Sequence, residues 1–122
     1  MAASKTFERH GWTILVGKGA ADNDVLTFEV ADADDLWLHV AGWSGSHVVI
    51  RVPPDAGEPP REIVEYAARL AAWHSKARGA RGKVDVHVCR VGDVRKPPRL
   101  APGKVQLRQF TTIKVYAADP QR

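Results

Sequence analysis

Residues 35–51 read Asp35-Leu36-Trp37-Leu38-His39-Val40-Ala41-Gly42-Trp43-Ser44-Gly45-Ser46-His47-Val48-Val49-Ile50-Arg51, and no other stretch limits the fold so tightly. Leu36, Leu38 and Val40 alternate with Trp37 and His39, the two-residue period of a strand whose faces differ. Val48, Val49 and Ile50 form a second, β-branched run. The glycines and serines between them predict a turn, so the segment reads as two strands joined by a glycine-bearing loop. Trp37 and His39 then share one face, with His47 and Arg51 on or beside the second strand. Two imidazoles, an indole and a guanidinium are expected to converge on one patch.

A chain of 122 residues supports one core, and a single domain over residues 1–122 is expected. Its 44% hydrophobic and 26% charged residues are those of a globular protein rather than a disordered one. No apolar run is long enough to span a bilayer, and the N-terminus lacks the apolar stretch of a secretory signal. The lone Cys89 has no partner for an internal disulfide, which points to a reducing, cytoplasmic setting. Charge is distributed unevenly. Up to Ser75 there are six Lys and Arg against eleven Asp and Glu, and from Lys76 onward twelve against three. Most of those twelve are arginines, which pair with phosphate in a bidentate fork and stack on bases, so a polyanionic partner is expected.

The rest of the chain predicts an α+β domain, a mainly antiparallel sheet with one long helix and a shorter one packed on it. Residues 5–8 and 12–16 flank Arg9-His10-Gly11 as a hairpin. Asn23 is a candidate cap for a short helix with Val25, Leu26, Phe28 and Ala31 on its apolar face. Residues 52–60, rich in proline, read as an exposed loop. Ile63, Val64, Ala67, Leu70, Ala71 and His74 recur at helical spacing over 61–76. Residues 83–90 alternate Val84, Val86 and Val88 with Asp85, His87 and Cys89, a half-buried strand. Residues 91–100 form a basic, proline-broken connection, Pro102-Gly103 a turn, and 105–110 and 111–116 the last strands. Trp37 and Trp73 are expected in the core; Trp43, in a turn, suits either the core or stacking on a base.

Several chemistries are weak on these residues. The glycine spacings of the P-loop and dinucleotide-binding motifs are absent. Ser46, His39, His47 and Asp35 supply the residue types of a hydrolase, but no nucleophile elbow surrounds the serine, and serine between glycine and histidine is foremost a turn residue. A metal site on His39 and His47 would need Asp35 or His87 as well, with no HExxH or paired cysteines to frame it. The tract with Arg95, Lys96, Arg99 and Lys104 around prolines reads as a phosphate-contacting loop.

The order Asn23-Asp24, then Asp35-Leu36-Trp37-Leu38-His39, then Gly45-Ser46-His47-Val48-Val49-Ile50-Arg51, then an alanine-rich helix ending Ser75-Lys76-Ala77-Arg78, resembles the NFACT-R domain. That is the RNA-binding module of ribosome-associated quality-control factors that tag stalled nascent chains. The likeness continues in Val84-Asp85-Val86, Val94-Arg95-Lys96-Pro97 and Pro102-Gly103-Lys104-Val105. It departs at Trp43-Ser44, where the family usually has a proline before the glycine. The resemblance implies a stand-alone, non-catalytic module that binds tRNA or ribosomal RNA, on or near the ribosome. It implies no cofactor, metal, membrane or small-molecule substrate. Motif positions fall on Asn23, Asp24, Asp35, Trp37, His39, Gly45, Ser46, His47, Arg51, Lys76 and Lys96. The expected RNA contacts are Asn23, Asp24, Trp37, His39, Trp43 and Ser46, together with His47, Arg51, Lys76, Arg95, Lys96 and Arg99. Two other readings stand beside this one: a small hydrolase or metal-dependent enzyme using His39 and His47, and a protein-interaction domain docking through the Trp43 turn.

Overall fold

His10 and Gly11 adopt left-handed backbone, with φ of 48° and 83°, the geometry a two-residue loop needs to match the twist of its strands. They join β1 (Ser4–Arg9) to β2 (Trp12–Gly17), with Arg9 paired to Trp12. The computed structural model describes residues 4–117, 119 and 120. After β2 come α1 (Ala20–Val25), a π-helical turn (Leu26–Val30), β3 (Leu36–Val40) and β4 (Val48–Ile50). Helix α2 (Arg61–Trp73), β5 (Lys83–Arg90), the short β6 (Val94–Arg95) and β7 (Gln106–Leu107), and β8 (Thr111–Tyr116) follow.

Six strands form one sheet in the order β1-β2-β4-β3-β5-β8, every pairing antiparallel. The alternation in β3 sorts its residues onto two faces, each covered. Leu36, Leu38 and Val40 join Ile14, Val16, Val48 and Ile50 beneath α2, which contributes Ile63, Tyr66, Ala67, Leu70 and Ala71. The small alanines let this helix lie close on the strands, and its amphipathic face supplies most of its stability. Trp37 faces the other way and packs with Leu15, Leu26, Val49, Cys89 and Val94. The two helices therefore sit on opposite faces of a mainly antiparallel sheet.

Five expectations change. The first helix starts at Ala20 behind Gly19, not at Asn23, because the Asn23 amide bonds to the 45–47 backbone instead of capping. That helix then widens, with Ala31 N–H donating to Leu26 O at 2.9 Å, which turns Leu26 and Thr27 inward and leaves Phe28 and Val30 exposed. Helix α2 spans 13 residues and stops at Trp73, not Lys76. Ser75 is extended, its hydroxyl donating to Ala72 O at 2.6 Å and accepting from Ala77 N–H at 3.0 Å. Trp73 at its end is half-buried beneath the Arg78 guanidinium rather than in the core. Lastly, the strand expected over 105–110 shrinks to β7, which pairs with β6 in a separate two-stranded ribbon.

The loop between β3 and β4 is pinned to the end of α2. Ser46 N–H donates to His74 O at 2.9 Å, Lys76 N–H to Ser44 O at 2.8 Å, and Gly45 bridges Ser75. A Cβ on Gly45 would lie 2.5 Å from Ser75 Cβ. Gly45→Ala is therefore expected to lower stability by about 1–3 kcal/mol in urea unfolding, and an unchanged midpoint would contradict this close approach.

Candidate nucleic-acid interface

Trp37 and His39 project from the face of β3 opposite α2. His47, one residue ahead of β4, joins them because Val48 turns to the α2 side. The three rings pack together, Trp37 stacked on His39 at 5.8 Å and His47 edge-on to both at 5.0 and 5.6 Å. Thr27, delivered by the π turn, completes the cluster. Trp37 Nε1–H donates to Thr27 Oγ1 at 3.2 Å, and Thr27 Oγ1 lies 2.8 Å from His47 Nδ1. On the other side of the ring, His47 Nε2 lies 3.1 Å from Gly103 O. A carbonyl can only accept, so Nε2 carries the proton, Nδ1 is the acceptor, and the Thr27 hydroxyl donates to it.

The chain of donors thus runs from Trp37 through Thr27 to His47 and on to Gly103. His47 and Thr27 are each 1% exposed, and burial, followed by the neighbouring His39, holds the His47 imidazole down to about 4. Its backbone N–H donates to Asn23 Oδ1 at 3.1 Å. Burial also lowers His39.

Gly103 belongs to a loop whose shape is set by Lys96 and Asp24. Lys96 Nζ reaches Ala101 O at 2.5 Å, Lys104 O at 2.7 Å and Asp24 Oδ2 at 3.1 Å, which engages all three of its N–H donors. The other Asp24 oxygen accepts from Gly103 N–H at 3.1 Å. Between this loop, the 41–47 loop and the end of α2 lies an open cleft of about 750 Å³. Trp37, His39 and His47 form its floor, and Trp43 and Phe110 stand at its wall, 46% and 48% exposed. Phe110 leans on His87 at 4.1 Å, and His87 sits across from His39 in the β3–β5 register. Lys76, Arg78 and Lys104 supply positive charge at the rim, all exposed, and among the described residues no Asp or Glu lines the cleft. Such a surface favours an anionic ligand with flat, apolar parts.

The structure gathers Asn23, Trp37, His39 and Trp43 around this cleft, with Ser46, His47 and Lys76. The other expected contacts lie elsewhere. Asp24 and Lys96 are engaged with the loop, and Arg95 and Arg99 are exposed outside the cleft without an ion pair to a described residue. Arg51 does not converge with the imidazoles. Its Nε pairs with the buried Asp35 at 3.0 Å and its Nη2 with Asp32 at 3.2 Å, while Asp35 also accepts from Asp32 N–H and Val52 N–H. Asp35 is thereby a clamp on the chain entering β3, and it orients no imidazole. Among the described residues, no group of three or more His, Cys, Asp or Glu is placed to hold a metal ion, and no helix is long and apolar enough to cross a membrane. Sequence reasoning missed Thr27, Phe110 and Arg78 as members of the site, while it placed Lys104 in the phosphate-contacting loop and considered His87 only as a metal ligand. The signal for His87 was its alternation with the β5 valines, and for Lys104 the basic, proline-broken tract.

Fold and site together define a small α+β module that offers an aromatic-walled, cation-rimmed cleft to an anionic partner. The family model described as the NFACT protein RNA binding domain matches residues 4–109, and the chain belongs to that family. It is similar to the Rqc2 homolog RqcH of Bacillus subtilis (strain 168), 43% identical over 105 residues, which are 86% of this chain and 18% of that protein. The Rqc2 homolog RqcH of Streptococcus suis (strain 05ZYH33) is 41% identical over 106 residues, 87% of this chain and 18% of that protein. The chain thus spans under a fifth of these curated relatives. Among solved structures it resembles the C-terminal of the fibronectin/fibrinogen-binding protein from Streptococcus suis. The TM-score is 0.86 at 36% identity, over 98% of this chain and 47% of that one.

Two outcomes follow from the buried chain of donors. The unfolded imidazole takes its proton near 6.5 and folded His47 only near 4, so the unfolded chain binds more protons between those values and stability falls as pH drops through that window. The full effect is on the order of 3 kcal/mol, and the stability–pH curve of His47→Gln should be shallower there by about that amount. Parallel curves would contradict a neutral, buried His47. Thr27→Val should cost about 1–3 kcal/mol for each group it orphans, Trp37 Nε1–H and His47 Nδ1, as measured by urea unfolding. A cost near zero would contradict the bridge.

Proposed function

We propose that this chain binds RNA, tRNA or ribosomal RNA, through the cleft and the adjoining basic loop, and does so in the service of translation quality control. The observation that carries this reading is the lining of the cleft: exposed cations at the rim, exposed aromatic rings at the wall, and no carboxylate among the described lining residues. Family membership and the likeness to the RqcH proteins support it. The polarity of charge along the chain agrees, because the exposed Arg95 and Arg99 extend the positive surface beyond the rim. Phosphate contacts supply most of the affinity, and the aromatic floor positions what they attract. Within this reading the module binds without catalysing. The one hydroxyl–imidazole pair among the described residues, Thr27 with His47, is buried and occupied at both imidazole nitrogens.

Binding of a labelled tRNA across a salt series tests this. Affinity should fall steeply as salt rises, and the log–log slope should drop by about 2 in a variant with Arg95, Arg99 and Lys104 changed to Ala, since each lost phosphate contact removes roughly 0.7–0.9. Binding that stays flat with salt, or no binding at low salt, would overturn the reading and shift weight to a protein partner docking at the Trp43 loop.

A further inference from the structure

The rings around the cleft come from four separate segments: Trp43 from the 41–47 loop, His39 and His87 from adjacent strands, and Phe110 from the approach to β8. We propose that the cleft holds an unpaired nucleotide, its base laid against these rings and its phosphate at Lys76, Arg78 or Lys104. The domain then selects RNA carrying a single-stranded loop or end over continuous duplex. This rests on the RNA-binding reading above and goes further, naming which part of an RNA enters.

Three observations converge on it. First, Trp43 and Phe110 keep nearly half their surface in water although both line a concave site, and a nucleobase face is the natural partner for such rings in a cleft rimmed by cations. Second, paired bases in an A-form helix present only their edges, in a shallow minor groove or a deep, narrow major one, so a ring at the wall of a cleft meets a base face only after the nucleotide leaves the stack. Third, about 750 Å³ lies within the range of sites that enclose a single small molecule. The floor is rigid, because His47 is bonded at both ring nitrogens and Trp37 through its indole N–H. Polar groups remain to meet a base edge: the Ser46 hydroxyl and the His87 ring make no hydrogen bond to a described residue.

Anisotropy titrations of the full chain decide this with two labelled RNAs of equal phosphate number, a hairpin with an unpaired loop and a blunt duplex. Wild type is expected to bind the hairpin roughly ten-fold or more tightly than the duplex. The preference should collapse toward unity in a Trp43→Ala, Phe110→Ala double variant and largely return with Trp43→Phe and Phe110→Tyr. Both rings are exposed, so the thermal midpoint should hold and a lost preference will not reflect unfolding. Equal wild-type affinity for the two RNAs, or a hairpin preference that survives the double variant, would overturn the unpaired-nucleotide site while leaving RNA binding intact. Absence of binding to either RNA at low salt would instead overturn RNA binding itself.

Discussion

A buried hydrogen-bond chain, Trp37 to Thr27 to His47 to Gly103, ties together segments that lie far apart in sequence: the π turn, the first central strand, the approach to the second, and the basic loop. Each member needs the next. A buried indole N–H, hydroxyl or imidazole left without a partner costs roughly as much as a lost core methylene or more, so the arrangement tolerates few substitutions. His47 is the centre because its two ring nitrogens face opposite ways, one accepting and one donating. Protonation would place a charge on a buried ring beside His39, which is why a neutral ring belongs there.

From this chain follows the cleft. Its floor is set by rings that cannot rotate freely, and its far side by a loop that Lys96 and Asp24 hold from within. Cations in this protein divide by role. Lys96 and Arg51 are engaged by carboxylates and carbonyls and shape the backbone. Lys76 and Lys104 are presented at the rim, with the shape that others have made, and Arg78 joins them while its Nε donates to Trp73 O. Preorganisation of this kind lowers the ordering cost of binding, so that the attraction of exposed cations for phosphate is not offset by loop closure.

The strands of the central stretch could be read directly because alternation is imposed by the pleat: Leu36, Leu38 and Val40 face α2, and Trp37 and His39 face the cleft. The α2 pattern was equally direct until its end, where Ser75 and the approach of Gly45, a tertiary contact, stop the helix. Asn23 misled because capping preference is local, whereas its amide serves a backbone 24 residues away. Thr27 gave no sign of its role, since a π turn depends on packing rather than on composition. Lys96 and Lys104 look alike in sequence. Only the fold of the proline-rich loop decides which one turns inward, and Arg51 was drawn off by the neighbouring Asp35 for the same reason.

Photochemical cross-linking of the domain to a bound tRNA, followed by mapping of the attached peptides, addresses the central claim that RNA meets the protein at this cleft. Cross-links concentrated on the 41–47 loop, residues 76–78 and residues 99–110 are what this account requires. Cross-links confined to the exposed face of α2 would place the RNA on the opposite side of the sheet, and those confined to β1 at the sheet's far edge, and either result would contradict it.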